Sequence, residues 1–110
     1  MHVRSMAAVL VGGLVVSSTA AAAENEVGKK IFGQRCVGCH GADGKGNAKM
    51  AEMLKVKIPD LAAASGKSDA ELLKLLSDGK LPMPSFGKSL SKEEMAAVLD
   101  YAKRLANGTK

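Results

Sequence analysis

Cys36-Val37-Gly38-Cys39-His40 contains both cysteines of the chain, three residues apart, with a histidine directly after the second. Two thiols at this separation can reach the two vinyl groups of one porphyrin and add to them as thioethers. The adjacent imidazole then lies beneath the ring, where it can ligate iron. The arrangement reads as a c-type haem attachment site. Three other chemistries use parts of it. A Cys36–Cys39 disulfide suits an exported protein but leaves His40 without a purpose. A thiol–disulfide oxidoreductase also uses C-x-x-C, ordinarily beside a βαβ unit. A structural zinc site takes four Cys or His ligands, more than this cluster supplies.

The elements that must hold the motif are short and helical. Val27, Ile31 and Phe32 predict a first helix from about Glu26 to Arg35. A loop with Gly41, Gly44 and Gly46 follows, then a helix from about Ala48 to Lys55, which ends before Pro59. Ser68 and Glu71 form a capping box ahead of Leu72, Leu73, Leu75 and Leu76, and Gly79 is a natural stop. Ser91 and Glu94 repeat the device. They open a last helix whose inner face is Met95, Val98, Leu99, Ala102 and Leu105, ended by Asn107 and Gly108. No segment alternates as a strand does, so the fold class is all-α.

The first 23 residues stand apart. A basic start with Arg4, an apolar run from Met6 to Val16 and a small-residue end at Ala20–Ala23 form the pattern of a cleaved secretory leader. The run falls short of the roughly 20 residues a membrane span needs. Residues 24–110 are then the functional domain, and His2 lies outside it. That domain has only Phe32, Phe86 and Tyr101 as aromatic residues and no tryptophan. Aromatic side chains ordinarily dominate core burial, so this core is underfilled unless a non-protein group completes it.

From about Glu26 to Ala106 the chain resembles the small bacterial monohaem cytochromes c with Met/His ligation, the class I type. The attachment motif near the mature N-terminus, a methionine loop before the last helix and that helix itself carry the resemblance. It implies a compact fold of about four short helices around one covalently bound haem c, with Cys36 and Cys39 as thioether residues and His40 as one axial iron ligand. It also implies a second axial ligand, normally a methionine far along the chain. Met50 and Met53 lie three apart on a short helix and Met95 on an apolar helix face, where packing is the ordinary role. Met83 sits in Leu81-Pro82-Met83-Pro84-Ser85-Phe86, where two prolines exclude a regular helix. Its Met-Pro pair matches the family's loop, so Met83 is the expected ligand. The family often orients the histidine through a proline carbonyl, for which Pro59 is the candidate. Gly28 and Phe32 with Leu99 and Tyr101 resemble its crossing of terminal helices. A glycine-rich turn after the attachment histidine is common there too, and Gly41–Gly46 lacks the strand and the Gly-Lys-Ser/Thr ending of a phosphate loop.

With both axial positions taken by side chains no position is left for a substrate, so an electron carrier is expected and not an enzyme. The net charge is +5, carried mostly by lysine. Lys45, Lys49, Lys80 and Lys88 flank the motif segments and could steer an acidic redox partner. Export and the lack of a basic block with stacking aromatics exclude nucleic acid. The expectation is a periplasmic, monomeric carrier without a transmembrane segment in its mature part, shuttling single electrons between redox proteins. A cytochrome subunit of an exported oxidoreductase complex is the alternative, and a thiol–disulfide oxidoreductase a more distant one.

Overall fold

The computed structural model describes residues 12–108, with side chains from Ala23 onward. The chain forms α1 (Gly12–Arg35), α2 (Val37–His40), α3 (Ala48–Leu54), a 3-10 turn (Leu61–Ala64), α4 (Asp69–Asp78) and α5 (Lys92–Ala106). No strand occurs among the described residues, and the expected all-α class holds. Residues 1–11 of the expected leader lie outside the described residues. The rest of it belongs to α1, which begins well before Glu26 because the alanine-rich stretch ahead of it favours helix. No described helix is long and apolar enough to cross a membrane.

Both capping boxes form. The Ser68 hydroxyl accepts from the Glu71 backbone N–H while the Glu71 carboxylate accepts from the Ser68 N–H, and Ser91 and Glu94 do the same. Gly79 ends α4 at φ 74°. α3 ends at Leu54 with Lys55 in the left-handed region as its cap.

The buried core is a crossing of α1 and α5. Ile31, Phe32, Val98, Tyr101 and Leu105 form one cluster, in which Val98 retains 2% exposure. The rings of Phe32 and Tyr101 lie 5.4 Å apart at a 55° tilt. Gly28 makes the approach feasible: a Cβ there would fall 2.3 Å from the carbonyl oxygen of Ala97. That contact also buries Ala97, which helical spacing had not placed on the inner face. Met95, Val98, Leu99 and Leu105 are buried as that face requires, and Ala102 is half-buried.

The other half of the molecule packs differently. α3, the 3-10 turn and α4 contain no buried residue, although α4 carries four leucines. Met53 is 67% exposed, which corrects the packing role expected of it. Met50 is half-buried, and so are Leu72, Leu73, Leu75 and Leu76.

Candidate functional site

The attachment motif is itself a turn of helix, which the glycine at position 38 obscured at the sequence level. The Cys36 N–H donates to Phe32 O at 2.9 Å, so the motif continues directly from a buried core residue. The His40 N–H donates to Cys36 O at 2.9 Å and the Gly41 N–H to Val37 O at 2.8 Å. Helical periodicity thereby brings Cys36, Cys39 and His40 to one side of the turn.

The carbonyl end of this turn is fastened by the residues just before α3. The Gly46 N–H donates to His40 O at 2.7 Å and the Asn47 N–H to Cys39 O at 2.9 Å. The Asn47 side chain donates through Nδ2 to Gly38 O at 3.1 Å and accepts through Oδ1 from the Met50 N–H at 3.0 Å. One residue thus caps α3 and ties it to the motif. Sequence reasoning missed Asn47, although asparagine directly before a helix is a known capping signal. Gly46, at φ 98°, lets the Ile58 backbone approach: a Cβ would meet Ile58 O at 2.7 Å.

Burial sets the protonation of Cys36 and His40. Cys36 is pushed up to about 11, chiefly by desolvation, with the Arg35 guanidinium opposing. A thiol enzyme needs the reverse, a thiolate stabilised well below the ordinary value. His40 is held below the usual imidazole value by desolvation. Its ring is therefore neutral at neutral pH and keeps a lone pair for a metal. Both cysteines are half-buried and unbridged. His40 Nδ1 is buried with no hydrogen-bond partner, so the expected bond to the carbonyl of Pro59 is not made. Such an orphan costs about 1–3 kcal/mol unless a group outside the polypeptide satisfies or reorganises it.

Met83 is half-buried in the loop before α5. Its N–H donates to Lys80 O at 2.8 Å and its carbonyl accepts from the Lys80 N–H at 3.0 Å. Arg35, directly before Cys36, holds its guanidinium 5.8 Å from the ring centroid of Phe86, three residues after Met83. The two candidate-ligand segments therefore meet through Arg35 and Phe86. Cys36, Leu76 and Leu90 pack on the same buried cluster. Lys45, Lys49, Lys80 and Lys88 are all exposed.

A haem fits these residues on three counts. The paired thiols are unbridged and half-buried, a neutral imidazole with an unsatisfied nitrogen follows them, and the leucine-rich half of the fold is only half covered. A separate cavity of about 240 Å³ between the 3-10 turn, α4 and α5 is walled by Leu61, Leu72, Leu99 and Ala102 among others, and none of Cys36, Cys39, His40 or Met83 lines it.

The model of the family described as Cytochrome C oxidase, cbb3-type, subunit III matches residues 23–101. The Cbb3-type cytochrome c oxidase subunit FixP of Bradyrhizobium diazoefficiens is 33% identical over 82 residues, which cover 74% of this chain. The same stretch covers 27% of that protein, so the chain spans about a quarter of its relative's length.

Proposed function

The chain belongs to the family described as Cytochrome C oxidase, cbb3-type, subunit III, and we propose that it moves single electrons outside the cytoplasm as a diffusible periplasmic carrier. It is a small c-type cytochrome with an electron-transfer role and a covalently bound haem c. The residues that would hold the haem are Cys36 and Cys39, through thioethers, and His40 and Met83, as ligands to its iron. The observation that carries this assignment is the attachment turn: two unbridged, half-buried thiols and a neutral imidazole on one side of a helical turn rooted in the core.

When bound, the haem supplies a one-electron couple, and a methionine ligand raises its potential relative to two nitrogen ligands. The chain does the rest. The thiols fix the group's position, and Asn47 and Gly46 fix the backbone that presents His40. The apolar side chains of α4 and the 3-10 turn exclude water and favour the less charged oxidation state. The lysines near the two ligand segments present a positive face to an acidic partner, with association that weakens as salt is added.

A second reading is favoured by the comparisons themselves: the chain serves as the cytochrome component of an oxidase complex, as the names of the family and of FixP suggest. The two readings part on association, since a carrier elutes alone and a subunit co-purifies with an oxidase. The haem assignment is tested by a reduced-minus-oxidised visible spectrum together with haem staining on a denaturing gel. Covalent haem and a weak far-red sulfur-to-iron band in the oxidised protein are expected. A protein matured in a competent host without covalent haem overturns it.

A further inference from the structure

The last carbonyls of a helix have no donor inside it, and at α4 the chain that carries Met83 returns to supply the donors. The Phe86 N–H donates to Leu76 O at 2.9 Å and the Gly87 N–H to Ser77 O at 3.0 Å. The Ser85 hydroxyl donates to the same Ser77 carbonyl at 2.6 Å. Before the loop leaves the helix, the Gly79 N–H donates to Leu75 O at 2.8 Å. Residues 79–87 therefore start and finish on one turn of α4, and Met83 lies midway, held by its paired bonds to Lys80.

Gly79 determines how closely this loop can sit. Its φ is +74°, and a Cβ there would lie 2.6 Å from Ser85 N, 2.7 Å from the Pro84 carbonyl carbon and 2.9 Å from Met83 O. All three are backbone atoms of the segment bearing Met83, so no side-chain rotation relieves the contact. A methionine side chain is flexible and adaptable. Its sulfur occupies a defined position only if the backbone beneath it does.

We propose that the carboxyl end of α4 is the seat that sets the placement of the Met83 thioether, with Gly79 and Ser85 as positioning residues. The proposal rests on the reading of Met83 as an axial ligand. A side chain at 79 displaces the backbone from Met83 to Ser85 and weakens the sulfur–iron bond, while the thioethers and His40 remain in place.

The test uses haem-loaded protein and two readouts, the far-red band of the oxidised form and the affinity for imidazole, which competes with methionine for iron. Gly79→Ala is expected to lose most of the band and to bind imidazole about tenfold more tightly or better, from left-handed strain and the backbone contact together. Ser85→Ala removes one donor and should tighten imidazole binding about threefold. Gly108→Ala shares a positive φ of 80° but has open space, and Val98→Ala weakens the α1–α5 crossing; both should leave band and affinity unchanged. An unchanged band and affinity in Gly79→Ala overturns the proposal. Equal loss in Val98→Ala also overturns it, because general destabilisation then explains the effect. If Gly79→Ala does not accumulate as a haemoprotein, Ser85→Ala decides, and wild-type imidazole affinity there overturns the proposal. Failure of the underlying reading looks different: the band is absent from the unaltered protein or survives Met83→Ala, and the seat falls with it.

Discussion

The crossing of α1 and α5 and the arc from the attachment turn through α4 are packed to different degrees. At the crossing, protein buries protein: Phe32, Val98, Tyr101 and Leu105 are closed off, and Gly28 lets one backbone touch another. Along the arc, α3, the 3-10 turn and α4 bury nothing fully, and what order they have comes from caps and backbone bonds. The polypeptide completes the crossing by itself, and the expectation to test is that the arc needs the haem for its order.

The largest effect should come from withholding that group. In a chain with Cys36→Ala and Cys39→Ala, backbone amides of α3 and α4 should exchange within about tenfold of unfolded rates, while those at the α1–α5 crossing exchange slowest. Hydrogen exchange resolved by residue checks this, and uniform protection along the chain would abolish the distinction. In the haem-loaded protein, side-chain truncation should separate the regions as well. Phe32→Ala should cost about 3–5 kcal/mol, whereas Met53→Ala, at 67% exposure, should stay within about 0.5 kcal/mol. Denaturant titration of both variants measures the contrast.

Two glycines on α1 give a finer test. Gly28→Ala forces the crossing apart, because the new Cβ meets the Ala97 carbonyl oxygen at 2.3 Å, and should cost about 1–3 kcal/mol. Gly33, on the same helix, has nothing within 4 Å of an added Cβ. Gly33→Ala should therefore stabilise by about 0.5–1 kcal/mol through helix propensity alone. Thermal midpoints moving in the same direction would mean that α1 and α5 are not in the contact described.

The crossing was largely legible in the sequence and the arc was not, for one physical reason. Gly28, Phe32 and Tyr101, the two capping boxes and the spacing of Met95, Val98 and Leu105 are local patterns, each readable within a few residues. The arc depends on contacts between distant segments that no local period encodes. Nothing in the residues at 79, 85 and 87 announces that the methionine loop closes on the end of α4. Asn47 carried a local signal, its place before a helix, but its second bond to Gly38 O is tertiary. Pro59 marks the limit of analogy: the residue stands where the resemblance places it, and His40 Nδ1 makes no bond to it.

The smallest effect compares the helices that open with the same box. Glu71 caps α4, and its carboxyl is held below the usual carboxylate value of 4.5, first by the Ser68 backbone N–H and then by the Ser68 hydroxyl. A carboxylate whose folded value is depressed stabilises the fold above its unfolded value, and that contribution disappears as pH falls through the folded one. Glu71→Gln should therefore lower the denaturation midpoint slightly near neutral pH and not at all well below 4.5. Full solvent exposure of the group keeps the difference small. Because α4 contains no buried residue to hold its first turn, the loss should appear as faster amide exchange at Ala70–Leu73, with α5 unaffected. Equal fraying of α5 would mean that the two helices share one cooperative unit and that the boundary between crossing and arc lies elsewhere.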